Sequence, residues 1–198
     1  MSVTAGPRAE NSRRIREAMI EATVRIVARE GVAAVTHRRV AAEAGVALSS
    51  TTWHFATKAD ILEAGLRWAA HREVEGIAAI AVRLGDTDFD AAAWADALGD
   101  WLVEQVTTDR DLAVALYRLQ VELLGTPGAI DVHREWGEGL RAVGEQVLAH
   151  SSTSTPAIDL RLIVAALDGL RMGALSSGEE DVEYLRLAIR RQLRALLG

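Results

Sequence analysis

The chain has 198 residues, 49% of them hydrophobic and 25% charged, which is enough apolar material for a core and too balanced for a disordered or fibrous chain. It has no Cys, which excludes a disulfide framework, a thiolate metal site and a thiol nucleophile. The net charge of −6 hides an asymmetry: residues 1–58 carry nine basic side chains (Arg8, Arg13, Arg14, Arg16, Arg25, Arg29, Arg38, Arg39, Lys58) against five acids (Glu10, Glu17, Glu21, Glu30, Glu43), so a basic head precedes an acidic body and only the head suits a polyanion.

In chain order, residues 1–11 are small, polar and aperiodic and read as a disordered arm, without the apolar core of a signal peptide. Asn11 or Ser12 caps a first helix in which Ile15, Met19, Ala22 and Ile26 share a face, and Gly31 stops it. Thr36 caps a short second helix to Ala44, Gly45 supplies the left-handed residue that ends it, and a third helix follows from Val46 to about His54. Thr57 caps a fourth, with Asp60 near its positive end and Ile61, Leu62, Leu66 and Ala69 as its apolar stripe, running to about Leu84. GDTD at 85–88 breaks it. Helices are expected over about 89–107, 109–124, 130–149, 158–177 and 179–197, separated by GTPG at 125–128, SSTSTP at 151–156 and SSG at 176–178. Strand-like alternation is nearly absent, so the fold class is all-α: a three-helix head at 12–56 and a helical-bundle body at 57–198. No uncharged run reaches membrane-spanning length, and a soluble cytoplasmic protein with no membrane partner is expected.

Two short helices joined at Ala44-Gly45-Val46, after a longer first one, form a helix-turn-helix pattern. Small Ala41 and Ala44 allow close approach, and Val46 fills the space between the helices. The third helix offers Ser49, Ser50 and Thr52, with Trp53 and His54 at its end; short polar side chains let a helix sink into the major groove and reach base edges. The capped start of the second helix at Thr36 can offer N–H groups to a phosphate, and Lys58 adds a point charge. Phe55 reads as core, and Arg39 has Glu43 four residues on as a partner. Trp53 either packs at the hinge to the fourth helix or contacts the DNA backbone.

The run IREAMIEATVRIVAREG, with Val35-Thr36, Val40-Ala41, Ala44-Gly45-Val46, Trp53-His54-Phe55 and Lys58-Ala59-Asp60-Ile61-Leu62, strongly resembles the DNA-binding head of the TetR-type repressor family. The resemblance covers about the first third with specific motifs; the remainder matches in length and helical layout. It implies an all-helical homodimer that represses transcription at a near-palindromic double-stranded operator until a small ligand enters the body. It further implies DNA contacts by His37 and Arg38 at the start of the second helix, by Ser49, Thr52, Trp53 and His54 on the recognition helix, and by Lys58 on a phosphate. Ser49, Thr51 and Thr52 differ from the residues common there in the family (Gly or Ala, an apolar residue, and Tyr), so no other member's operator can be assumed.

Enzyme signatures are missing. There is no HExxH, no Glu three residues before any of the five His, no GxSxG and no P-loop. GEGLRA at 137–142 matches a dinucleotide fingerprint in letters only, since no strand precedes it. No cofactor or metal is expected. Aromatics spread over the fourth to seventh helices suit a receptor for a small, largely apolar effector, with Trp68, His71, Trp101, Tyr117, Gln120 and Trp136 as candidate lining, although each Trp can equally fill core volume. On the last two helices, apolar stripes containing Leu167, Leu170 and Ala174, and Ile189 and Leu193, are the candidate dimer interface, and burial within one subunit accounts for part of them. The reading is a regulator of transcription; a helical ligand-binding or scaffolding protein without DNA binding is the alternative.

Overall fold

In the structure, a computed structural model, residues 6–85, 89–178 and 181–197 are described. Residues 1–5 of the expected arm, most of GDTD at 85–88 and the expected start of the ninth helix at 179 lie outside them. The described residues hold helices α1 (Pro7–Glu30), α2 (His37–Ala44), α3 (Leu48–His54), α4 (Lys58–Leu84), α5 (Ala91–Val106), α6 (Arg110–Glu122), α7 (Pro127–Leu148), α8 (Pro156–Ser177) and α9 (Val182–Leu197), with a short 3₁₀ turn at Val32–Ala34.

Three helices begin earlier than expected, and each begins at a proline. α1 starts at Pro7, not at Asn11 or Ser12; α7 starts at Pro127 and α8 at Pro156. The first position of a helix needs no N–H and wants the φ that proline already has, so these prolines start helices where the sequence reading took them as loop. Asn11 instead accepts from Arg14 within the helix (3.1 Å). Side-chain caps form at Thr36 on Arg39 N (3.1 Å), Thr57 on Asp60 N (3.2 Å), Asp90 on Ala92 N (2.8 Å), Thr126 on Ala129 N (3.3 Å) and Asp181 on Tyr184 N (2.9 Å), each relieving an amide that the helix cannot satisfy. Gly45 takes the left-handed conformation (φ 67°, ψ 31°) at the end of α2, where a side chain would be strained.

The chain divides into two compact units, and the division does not follow the expected boundary at 56/57. One unit is Met1–Ala70 with Val114–Val132; the other is His71–Ala113 with His133–Gly198. In the first, Met19, Ile26 and Val27 of α1, Val40 of α2, Phe55, Ile61 and Leu66 of α4, and Leu119 of α6 are buried. Arg118 of α6 donates to the carbonyls of Val27 and Ala28 (2.8 and 2.7 Å), so a cation closes the negative end of α1. In the second unit, Trp94, Leu98, Trp101 and Leu102 of α5 pack with Ile163 and Leu167 of α8 and Leu185, Ile189 and Leu193 of α9. Arg186 and Arg190, one turn apart on α9, reach Asp100 and Asp96 of α5 (2.8 and 2.5 Å). At Gly99 a Cβ would lie 3.4 Å from the Arg186 Cα, so α5 and α9 approach closely there.

Three of the glycines inside α4 and α7 have a packing reason. A Cβ at Gly76 would fall 2.7 Å from the Trp101 indole nitrogen, and one at Gly139 would fall 3.1 Å from both Val74 methyls. At Gly144 it would overlap Leu160. GEGLRA is helical, as its context suggested.

Candidate functional site

The helix-turn-helix is built by α2 and α3. Val40 and Ala41 bury one side of α2, and Thr51 buries one side of α3, its hydroxyl donating back to the Leu48 carbonyl (2.7 Å). That bond explains how a polar residue occupies the place of an apolar one. Phe55 is buried and carries the Arg16 guanidinium 5.2 Å from its ring.

The opposite side of α3 is presented to solvent. Ser49 and Thr52 are exposed and Ser50 is half-buried. The Thr52 hydroxyl donates to the Ser49 carbonyl at 3.2 Å, a long bond that base contact can replace. Trp53 is 74% exposed, with its ring edge-on to His54 (4.5 Å), so the hinge-packing alternative does not hold. Burial, and secondarily the Arg16 charge, hold the His54 imidazole below its usual range. It is therefore neutral at pH 7 and adds no charge to the surface.

His37 has a structural role beside the DNA contact that the resemblance implies. It is half-buried, and its Nε2 donates to the Phe55 carbonyl (3.0 Å), tying the start of α2 to the end of α3. Its ring positions the motif before it can read anything. Thr36 is exposed and spends its hydroxyl on the α2 cap, which leaves the first-turn amides of His37 and Arg38 without a helical acceptor.

The head's positive charge is distributed unevenly. Glu43 gathers Arg25 (3.3 Å), Arg29 (3.9 Å) and Arg39 (3.4 Å), and Arg39 also holds Glu30 (2.5 Å). The Arg39 hydrogen bond keeps the Glu30 carboxyl below its usual range, and the same bond raises Arg39. These cations are committed to α1 and α2. Arg38 and Lys58 are exposed and have no ion-pair partner among the described residues. Positive charge is therefore left for a phosphate at Arg38 and Lys58, and also along α1 at the exposed Arg8, Arg13 and Arg14.

The six candidate ligand residues divide between the units. In the first, Trp68 and Gln120 are half-buried and Tyr117 is buried. In the second, Trp101 is buried under Gly76. Trp136 is half-buried, near the His133 ring (5.8 Å), with its indole N–H buried and without a hydrogen-bond partner among the described residues. His71 faces solvent and pairs with Glu75 (3.4 Å) on its own helix, apart from the buried aromatics. A recess lined by Ala81, Phe89, Trp94, Val147 and His150 has ≈ 20 Å³ of room, which suits about one water.

Two charged side chains, Arg171 and Glu73, are buried together, a pairing that the sequence does not announce. Arg171 of α8 has a side chain only 3% exposed; it donates to Glu73 of α4 (2.9 Å) and to Asp168 (3.0 Å), with its guanidinium 5.9 Å from the Trp101 ring. Burial pushes the Glu73 carboxyl up, against the pull of Arg171. Glu73 Oε2 is buried with no hydrogen-bond partner among the described residues. A signal existed: Glu73 continues the stripe Leu66, Ala70, Ile77, Ile80, and Arg171 the stripe Ile163, Leu167, Ala174, so each puts a charge where periodicity expects an apolar side chain.

The dimer candidates also need correction. Leu167, Ile189 and Leu193 are 8%, 0% and 1% exposed within the protomer, packed in the α5 core, and are not available to a second copy. Leu170 and Ala174 are half-buried against that same cluster. The exposed apolar residues are instead Ile158, Leu162 and Met172 on α8 and Tyr184 and Leu187 on α9. Among the described residues no helix is long and apolar enough to cross a membrane, and no group of three or more potential metal ligands occurs.

Comparison with known proteins agrees with this geometry. Residues 19–64 match the family of bacterial regulatory proteins, tetR family, and residues 89–198 match the tetracyclin repressor-like C-terminal domain. A search of the curated proteins finds no match. Among solved structures, the multidrug binding protein EbrR complexed with imidazole is 37% identical, with 89% of this chain and 93% of that one covered and a TM-score of 0.65. The same protein complexed with ethidium is 35% identical, with 90% and 98% covered and a TM-score of 0.67. A TetR-family member from Streptomyces coelicolor A3 is 33% identical, with 90% and 97% covered and a TM-score of 0.70. With both parts of the chain matched and the recognition helix open to solvent, the protein belongs to the TetR family and is a DNA-binding regulator of transcription.

Proposed function

We propose that the protein is a homodimeric repressor that binds a near-palindromic DNA operator and releases it when a small aromatic cation enters the helical body. The observation that carries the DNA part is the exposed edge of α3, with Ser49, Thr52 and Trp53 open to solvent and the unpaired cations Arg38 and Lys58 beside it in sequence. Thr36 supports backbone contact through the start of α2, and His37 holds the two helices in register. Dimerisation is supported by the outward apolar residues of α8 and α9, because two heads on one two-fold axis match a palindrome.

The ligand class has two supports. Residues 59–198 carry 13 basic against 23 acidic side chains, and their buried aromatics favour flat, apolar molecules. A relative, EbrR, has been crystallised with ethidium, a planar aromatic cation. The expected apolar ligand is thus narrowed to an apolar one carrying positive charge.

Selection from a genomic pool of duplexes at low salt should enrich one near-palindromic site, and a panel of aromatic cations should release it, with a DNA-only control for dyes that intercalate. A folded dimer that enriches no duplex would remove the DNA reading. A bound operator that no cation in the panel displaces would remove the ligand reading.

A further inference from the structure

Glu73 sits in the second unit at the meeting of three helices. Its own helix, α4, also carries Gly76, whose missing Cβ makes room for the Trp101 ring of α5. From α8 comes Arg171, which is almost fully buried and shared between Glu73 and Asp168. Two carboxylates therefore face one guanidinium, an excess of one negative charge when both are ionised. Asp168 keeps about half of its side chain in water and is solvated there, whereas the Glu73 side chain is 11% exposed. One Glu73 oxygen takes the Arg171 bond; the other, Oε2, is buried and has no hydrogen-bond partner among the described residues.

A purely structural ion pair does not ask for this arrangement. A buried carboxylate oxygen without a donor costs desolvation and returns nothing, and such pairs hold stability only when their remaining lone pairs are satisfied. An apolar, aromatic setting with one convergent, unsatisfied acceptor is what a ligand site requires of its polar part. We propose that Glu73 is the charge-recognising anchor of the effector site, its Oε2 receiving an N–H of a planar aromatic cation, with Arg171 holding the carboxylate in place and Trp101 contributing an aromatic wall. The inference rests on the reading of the body as a receptor for such cations and names the residue that selects the charge. Arg171 is a positioning residue: it takes one Glu73 oxygen and leaves the other for the ligand.

The charge state of Glu73 gives the site a second signature. The charged groups that face it are Arg171 and Asp168, both from α8; burial and Asp168 favour its neutral form, and Arg171 its ionised form. Whatever fraction of Glu73 is protonated must ionise to receive a cation, so binding releases protons. Affinity for a permanent cation should then rise with pH, up to tenfold per unit below the Glu73 pKa, and level off above it.

The probe is ethidium, which carries a permanent charge and aromatic amine donors. Its fluorescence on titration into the unmodified full-length protein, without DNA, should report saturable binding. Glu73→Gln, which keeps shape and removes charge, should weaken ethidium about 10–100-fold and leave a neutral polycyclic aromatic of similar size nearly unaffected. Proton release, read from the dependence of calorimetric heat on buffer, should disappear in Glu73→Gln. Should that variant lose its helical circular dichroism, the unmodified protein still decides the matter through proton release and the pH dependence of affinity. Equal ethidium affinity in the two proteins, or binding with no proton release and no pH dependence in the unmodified one, would overturn the role of Glu73 while leaving the receptor reading intact. No saturable ethidium binding by the unmodified protein would overturn both.

Discussion

Lys58 and Thr52 are suited to different parts of DNA recognition. Lys58 is an exposed point charge without an ion-pair partner among the described residues; Thr52 is an exposed hydroxyl held only by a 3.2 Å bond to the Ser49 carbonyl. Lys58→Ala should weaken all duplexes similarly and lower the salt slope of log affinity by about one. Thr52→Ala should change which base is preferred at one position, at a cost of about 1–3 kcal/mol on the preferred sequence. Fluorescence anisotropy at several salt concentrations, with the operator and its single-base variants, separates the two; a uniform loss for both variants would show that α3 reads no base through Thr52. The neighbouring Trp53 was undecided in the sequence because both of its alternatives use an aromatic at a helix end. In the structure Phe55 fills the core and Trp53 is 74% exposed, which removes the packing alternative. His37 was legible as a residue of the motif but not in its role, since the Phe55 carbonyl that it binds is 18 residues away.

The helices α8 and α9 are apolar on two sides. Ile163 and Leu167, and Leu185, Ile189 and Leu193, face α5; Ile158, Leu162, Ala165, Gly169 and Met172, at alternating spacings of four and three, are exposed, as are Tyr184 and Leu187. Sequence periodicity picks the strongest stripe, and that stripe belongs to the protomer core. The face left outside is weaker because small residues and one Tyr contribute to it. Leu187→Arg should therefore give a folded monomer with lost operator binding. Leu193→Arg should destabilise the fold by about 4 kcal/mol or more, because it buries an unpaired charge. Sedimentation read beside thermal unfolding by circular dichroism distinguishes them, and a Leu187→Arg protein that remains dimeric would place the interface elsewhere.

Across the whole molecule, control requires that the effector and the operator favour different arrangements of the same chain. α4 is a continuous helix from Lys58, at the end of the DNA-binding head, to Leu84, and it carries Glu73. Within the first unit, Arg118 of α6 closes the end of α1, a contact that no motif announces. A coupling of about 1–3 kcal/mol changes operator affinity about 5–150-fold, and linkage demands that the operator weaken the effector by the same factor. Measuring effector affinity with and without saturating operator, using an effector that does not itself bind DNA, tests this. Equal affinities would leave the body as a binding and dimerisation element without control.

The sequence by itself determined the helical class, the helix-turn-helix and most helix ends, because each depends on signals within a few residues: Thr36 before α2, Gly45 after it, the spacing of Met19 and Ile26. It misjudged the starts at Pro7, Pro127 and Pro156, where one residue type serves both loops and first turns. Which side of a helix meets which partner was decided by tertiary structure, and so was the place of charge. Arg171 and Glu73 stand 98 residues apart, and neither is informative without the other. A buried charge is tolerable only when the fold brings its counter-charge within hydrogen-bonding distance, and that condition is set by the packing of α4 against α8 rather than by any stretch of chain.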